Sequence, residues 1–244
     1  MKIYGHRGCK GTFPENTLLG FRKAIQAGVD GIELDVHLTE DGEIVVIHDE
    51  TLDRTTTGQG AVKELTLSQI QTFSAGAPFR EFTGYEPSWD DEKVPTLRQV
   101  LELIADTKIE LNIELKGKLF PYPHLEEKLL KLVGEFGMND RVIYSSFHYP
   151  YLKRLKKQDP AAKIAALFET KIPMPAFLFK HFHLEGLHLS WKSVLEHPQH
   201  WSGLYGKIRV WTVNEEKVAA QLQGLGVAAI ITDFPDKIFS ALEK

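Results

Sequence analysis

Glu33 and Asp35 stand two residues apart in a run, Ile32 to Thr39, where apolar and polar residues alternate. That alternation is the period of a half-buried β-strand. Glu33, Asp35 and His37 therefore share one face, and Ile32, Leu34, Val36 and Leu38 take the other. Asp41-Gly42 then signals a hairpin, and Ile44-Val45-Val46-Ile47-His48 runs back. A two-residue turn at Asp41-Gly42 predicts Asp35 across from His48 on the polar face, with Val45 and Ile47 joining the apolar one. A strand end with two carboxylates and a facing histidine can hold a cation and move a proton.

The same kind of strand end recurs along the chain. His6 and Arg7 close the first apolar run, and Glu114 and Lys116 follow the run through Leu111 and Ile113. Ser145, Ser146, His188, Ser190, Trp211, Asn214 and Asp233 close later ones. Glu33, Asp35 and Glu114 aimed at one place would repel unless something positive joins them. An all-oxygen set suits one hard divalent cation, Mg2+ or Ca2+, rather than zinc. The alternative is internal pairing with Arg7 and Lys116. His6 and His48 beside such a cation read as one base and one acid. Arg7 offers a planar fork to a phosphate, and Lys116 and Trp211 join it as expected substrate-binding residues. Cation, carboxylates, Arg7 and Lys116 together leave one positive charge, which a phosphodiester neutralises.

Other candidates are weaker. His181, His183, His197 and His200 have no zinc-ligand spacing and read as surface residues, with His188 the exception at a strand end. Phe177, Phe179 and Phe182 read as helix–sheet packing. Lys116 as a Schiff-base lysine would make the chain a phosphosugar aldolase, but a carboxylate two residues away favours an ion-pairing or phosphate role. Cys9 reads as a small filler residue.

Elements that must position these residues follow in order. Strands are predicted at 2–6, 31–38 with its hairpin return at 44–48, 110–115, 141–146, 163–168, 186–190, 207–213 and 228–232. Helices lie between them, two opened by the capping boxes Thr66 to Gln69 and Thr96 to Gln99. Eight strands alternating with helices in 244 residues fit an α/β fold, a (β/α)8 TIM barrel. An open doubly wound sheet lacks support, since no G-x-G-x-x-G follows a strand. Residues 1–244 read as a single domain, with 50–94 a small insertion subdomain. Its Phe73, Phe79, Phe82, Tyr85 and Trp89 are expected to pack as a flap over the barrel mouth and to set leaving-group preference.

Bulk properties bound the rest. A net charge of -4 with no basic run gives nucleic acid no footprint. The single cysteine excludes an internal disulfide and suits a reducing, cytoplasmic setting. No signal-like or membrane-spanning run is visible, so no stable membrane association is expected. Oligomeric state is not readable.

The chain resembles the glycerophosphodiester phosphodiesterases over nearly its whole length. The resemblance rests on His6-Arg7-Gly8, Pro14-Glu15-Asn16-Thr17, Glu33-Leu34-Asp35-Val36, His48-Asp49, Glu114-Leu115-Lys116, Ser146-Phe147, Trp211-Thr212-Val213-Asn214 and Thr232-Asp233, in the family's order. It implies a TIM barrel with an insertion after His48-Asp49, and hydrolysis of glycerophosphodiesters to glycerol 3-phosphate and an alcohol. It also implies metal ligands at Glu33, Asp35 and Glu114 and an acid/base pair at His6 and His48. Phe147-His148 departs from the pattern, where many members carry an acidic residue or Asn after the Phe, and this bears on substrate preference. A related reading is a lysophospholipase D-type phosphodiesterase, with the aromatic insertion taking an acyl chain.

Overall fold

The computed structural model describes residues 1–117 and 122–242. Strand β1 (Lys2–His6) leads through α1 (Leu18–Gln26) to β2 (Gly31–Leu38) and its hairpin partner β3 (Ile44–Val46). After the insertion, with its short α2 (Leu67–Ile70), come α3 (Leu97–Ile104), β4 (Glu110–Leu115), α4 (Leu125–Glu135), β5 (Val142–Ser146), α5 (Tyr149–Gln158) and β6 (Ile164–Phe168). The chain closes with α6 (Pro175–His181), β7 (Gly186–Ser190), α7 (Trp191–Glu196), β8 (Ile208–Trp211), α8 (Glu216–Leu225), β9 (Ala229–Thr232) and α9 (Pro235–Leu242). Every neighbouring pair among β1, β2 and β4 through β9 is parallel, and β9 returns to β1. The result is a closed barrel of eight parallel strands, a (β/α)8 TIM barrel, with β3 an antiparallel addition to β2.

Helix starts follow the local chemistry. Thr17 caps α1 by accepting the Gly20 N–H, and Thr66 and Thr96 form full capping boxes at α2 and α3. Each such cap contributes about 1 kcal/mol. The core lies between barrel and helices, where the outward faces of the strands, such as Ile32, Leu34 and Val36, meet Phe21, Leu97 and Leu101. Full burial of one such side chain contributes about 1.5–3 kcal/mol. Residues 50–94 hold α2, three 3-10 turns and a separate apolar cluster of Leu52, Val62, Ile70, Ala75 and Val94.

The hairpin corrects the expected register by one residue. Val36, His37 and Leu38 pair with Val46, Val45 and Ile44, and Ile47, not His48, lies across from Asp35, whose carbonyl it bonds. The turn has three residues, Glu40 to Gly42. Thr39 N–H donates to the Glu43 carbonyl at 3.0 Å, and Gly42 takes the left-handed position at φ 77° that such a loop requires. The turn is pulled out by the insertion: Asp41 Oδ1 accepts from Leu67 N–H at 3.0 Å. The side-chain faces swap accordingly. Ile44 and Val46 join the main core, while Val45 and Ile47 join the insertion's cluster.

The insertion's rings also sit differently from expectation. Trp89 is 2 % exposed and packs on Phe13 and Tyr85. Phe79 packs on Phe82. None of Phe79, Tyr85 and Trp89 lines the cavities at the barrel mouth. The short turns around Glu92 explain this: Glu92 accepts from Leu19 N–H and Arg22, tying that end of the insertion to the start of α1. Phe177 is a further correction. It is 56 % exposed and stacks on His181, whereas Phe179 and Phe182 pack on the core as expected.

Candidate active site

Two adjacent strands supply the acidic group. In the β2–β4 ladder Glu33 pairs with Asn112, and Asp35 with Glu114, so these inward side chains form a square on two levels. One oxygen from each of Glu33, Asp35 and Glu114 falls within 4.8 Å of the others. All three residues are buried. Lys116 Nζ lies 2.5 Å from Glu114 Oε1 and 3.0 Å from Asp35 Oδ1. Arg7 Nε lies 3.2 Å from Asp35 Oδ2. Internal pairing, raised as the alternative to a cation, is thus present for Asp35 and Glu114.

The pairing is incomplete. Burial raises the Asp35 carboxyl, but Lys116 and Arg7 outweigh it and hold Asp35 far below the usual range. Glu33 goes the other way: burial, then Asp35 and Glu114, push it well above the usual range. Burial likewise raises Glu114 against the pull of Lys116. Three buried carboxylates with two cations between them leave a negative excess, and their oxygen-only chemistry and spacing fit one hard divalent cation.

The chain reaches Glu33 from β1 by an unusual bend. Arg7 adopts φ 48° and Asn16 φ 54°, a region that non-glycine residues seldom occupy. The bend lets Arg7 N–H donate to Glu33 Oε2 at 3.0 Å and Asn16 Nδ2 donate to Asp35 Oδ2 at 2.9 Å. Gly8 completes it at φ 89°, where a Cβ would lie 2.7 Å from the backbone of Gly20.

Each histidine of the rim carries a carboxylate on Nδ1. His6 Nδ1 lies 2.6 Å from Asp233 Oδ1, and Asn214 holds Asp233 in turn. His48 Nδ1 lies 2.6 Å from Asp49 Oδ1. This geometry assigns the proton to Nδ1 and leaves Nε2 of each ring without a hydrogen-bond partner among the described residues. His6 Nε2 stands 3.9 Å from Glu33 Oε2. Burial lowers the pKa of both rings, and their aspartates counter it. The one-residue register slip does not carry His48 away, because it lies beyond the end of β3. His37 steadies it instead: His37 Nε2 donates to the His48 carbonyl at 3.1 Å, and Tyr122 O–H donates to His37 Nδ1 at 2.8 Å.

Ion pairs link the two sides of the site. Arg54 binds Asp49 and Glu15, and Glu15 also binds Arg7. His48 and Asp35 are thereby joined through Asp49, Arg54, Glu15 and Arg7. Asp49, Asp233, Glu15 and Asn16 lay within the sequence motifs, but their spacing gave no role. Arg54 and Asn112 carried no sequence signal.

Two cavities meet here. An inner one of about 280 Å³ is lined by His6, Arg7, Lys10, Glu33, Asn112 and Trp211, among others. A larger one of about 740 Å³ opens beside Asp49, Glu50, His148 and Phe168. They share His48, Glu114, Lys116, Phe147, Leu167 and Glu169. Phe147 stands edge-to-face on Trp211 at 5.7 Å. Of the expected site residues, His6, His48, Arg7, Lys116, Trp211, Glu33 and Glu114 line these cavities, and Asp35 lies buried behind Arg7 and Lys116, which pair with it. His188 does not: it is fully buried inside the barrel with neither ring nitrogen bonded. His181, His183 and His197 are exposed. Cys9 is buried, and burial pushes its thiol up to about 12, so it is inert.

The surroundings of Lys116 favour an ion-pairing role over that of a Schiff-base nucleophile. Such a lysine needs a lowered pKa, whereas Asp35 and Glu114 raise that of Lys116 despite its burial.

Comparison with known proteins places this geometry. The model of the glycerophosphoryl diester phosphodiesterase family matches residues 6–237. A glycerophosphodiester phosphodiesterase of Caldanaerobacter subterraneus subsp. tengcongensis is 39% identical over 99% of this chain and 98% of its own length. One from Bacillus altitudinis is 39% identical over 100% of this chain and 98% of its own. Among solved structures, an Oleispira antarctica phosphodiesterase in complex with the product sn-glycerol-3-phosphate superposes with a TM-score of 0.87 at 29% identity, covering 100% of this chain and 97% of that one. A glycerophosphodiester phosphodiesterase from Agrobacterium tumefaciens superposes with a TM-score of 0.80 at 29% identity, over 98% of this chain and 99% of that one.

Proposed function

The chain belongs to the glycerophosphoryl diester phosphodiesterase family, a family of phosphoric diester hydrolases, and from this premise we propose that it cleaves glycerophosphodiesters to glycerol 3-phosphate and an alcohol. Glu33, Asp35 and Glu114 hold one divalent cation, Mg2+ or Ca2+, and His6 and His48 are the acid/base pair. The observation that carries the reading is the convergence of two imidazoles, each with a carboxylate on Nδ1 and a free Nε2, on one cavity with a three-carboxylate group.

Each part of the site then has a task. The bound cation supplies charge to offset that developing on the phosphoryl oxygens. One histidine takes, at Nε2, the proton of the attacking oxygen, which is water or the substrate's glycerol 2-hydroxyl; in the second case a cyclic phosphate forms first and water opens it to glycerol 3-phosphate with the two histidines in exchanged roles. As the bond from phosphorus to the leaving alcohol breaks, the other histidine, which enters the reaction as the imidazolium with a second proton on Nε2, gives that proton to the leaving oxygen. Asp233 and Asp49 keep both rings turned so that Nε2 faces the phosphate, and stabilise the imidazolium form of each, at the start of the step for the acid and at its end for the base. Lys10, Lys116 and Arg7 line the space with positive charge suited to an anionic substrate. Residues 50–94 act as a small insertion subdomain whose contribution to the site is its first residues, Glu50 on the cavity wall and Arg54 bonded to Asp49 and Glu15. The single buried cysteine suits a cytoplasmic setting.

The test is hydrolysis of a panel of glycerophosphodiesters with Mg2+, with Ca2+ and with chelator, reading glycerol 3-phosphate release. Release that needs a cation and falls away in Glu114→Gln is the expected result. Cation-independent release, or none from any member of the panel, overturns the reading. A lysophosphatidylcholine arm separates the lysophospholipase D-type alternative.

A further inference from the structure

The square formed by β2 and β4 has four corners, and only three are carboxylates. The fourth is Asn112. It pairs in register with Glu33 and lies two residues before Glu114 on the same inward face. Adjacent strands stand about 4.8 Å apart, so Asn112 is set beside Glu33 along the ladder as Glu114 is beside Asp35. Asn112 is 1 % exposed, lines the inner cavity, and its Oδ1 has no hydrogen-bond partner. Buried carboxamides are nearly always bonded, so an unbonded one on a cavity wall calls for a ligand. With no bond holding it, the amide presents oxygen or NH2 by a half-turn about its terminal bond.

We infer that Asn112 is a fourth protein ligand of the cation site, through its carboxamide oxygen. The inference rests on the reading of Glu33, Asp35 and Glu114 as cation ligands. The chemistry favours it on two counts. A carbonyl oxygen is an accepted ligand of a hard divalent ion. It also adds a ligand without adding charge, where a fourth buried carboxylate would add to the negative charge of the group. Hydrogen bonding within the fold does not account for the residue, because Asn112 does nothing for the fold that leucine of similar size would not do.

Calorimetric titration of the substrate-free protein with Mg2+ and with Ca2+ tests this, together with the thermal midpoint of the metal-free protein. In Asn112→Leu, cation affinity should fall about 10- to 100-fold, while the metal-free midpoint stays level or rises because an unpaired polar group has been removed. Asn112→Asp, which keeps an oxygen at that corner, should recover affinity relative to the leucine variant. Asn112→Ala provides the same reading if leucine does not fold. Wild-type affinity in the leucine or alanine variant overturns the inference and leaves the three-carboxylate site standing. A lowered metal-free midpoint without loss of affinity assigns Asn112 to the fold and overturns it equally. Failure of the wild-type protein to bind either cation overturns the three-carboxylate reading, and this inference with it.

Discussion

At the scale of single residues, the two imidazoles and their aspartates carry the sharpest expectations. His6→Ala and His48→Ala should each lower kcat by roughly 10²–10⁴-fold with cation binding largely kept, and His181→Ala, on the exposed side of α6, should turn over like wild type. Near-normal turnover in either of the first two removes that ring from the chemistry. Asp233→Asn separates orientation from charge. Asp233 raises the pKa of His6 against burial, so its neutral replacement should move the His6-dependent limb of the kcat/KM–pH profile to lower pH. A limb that stays in place, or moves up, contradicts the assignment. Asp233 and His6 are 227 residues apart, so nothing in the spacing of either motif announced the pair.

At the scale of elements, the hairpin and the insertion trade roles with the β5 end. The reading of 50–94 as a selective aromatic flap does not survive the placement of its rings away from the cavities. Trp89 is packing: Trp89→Ala should cost about 3–5 kcal/mol of stability in urea titration and leave the order of preferred glycerophosphodiesters unchanged. Phe147 is the opposite case. It is 45 % exposed, sits on the wall shared by both cavities and leans on Trp211. Phe147→Ala should change kcat/KM ratios between substrates with small and bulky alcohols while the melting temperature moves little. A reordered substrate ranking in the Trp89 variant, or an unaltered one in the Phe147 variant, would return selectivity to the insertion. The strand ends themselves were legible, since alternation from Ile32 to Thr39 fixes which side chains share a face. The hairpin register was not: the three-residue turn is bonded both within itself, between Thr39 and Glu43, and across to the insertion, from Leu67 to Asp41, and the spacing of Asp41-Gly42 gives neither.

At the scale of the whole molecule, the buried ionic network makes stability pH-dependent with a definite sign. Burial raises the Glu15 and Asp233 carboxyls, yet Arg54 and Arg7 on the first, and His6 on the second, outweigh it and hold both below the ordinary range. Arg54 does the same for Asp49. Carboxylates lowered in the folded state contribute stability that is complete above their unfolded pKa and is lost as pH falls through the folded value. His37 adds to the same limb: burial takes its pKa from 6.5 down to about 4, so between those values the unfolded chain binds the extra proton. The melting temperature of the metal-free protein should therefore decline as pH is lowered from 7 to 4 and drop further below 4. Glu15→Gln should flatten the lowest part of that decline and leave the part above pH 5 in place. A midpoint that rises on acidification would mean that relief of Glu33, which is pushed up by burial and its neighbours, outweighs the network. No helix among the described residues is long and apolar enough to cross a membrane.

What the sequence determined by itself is local and periodic. Alternation put Glu33, Asp35 and Glu114 on inward faces, capping boxes at Thr66 and Thr96 opened helices where the structure has them, and eight strand–helix repeats left a barrel as the economical closure. Strand ends of a parallel barrel all open on one rim, so naming the polar residues there named most of the site. Tertiary structure alone decided which of those residues touch. Asp233 meets His6 only because β9 closes onto β1. Arg54 spans Asp49 and Glu15 only because the insertion folds back. Asn112 stands at the corner of the acidic square only because β4 pairs with β2 in that register. Periodicity assigns a side chain to a face, but partner and distance come from contacts between residues far apart in the chain, which short-range pattern does not encode.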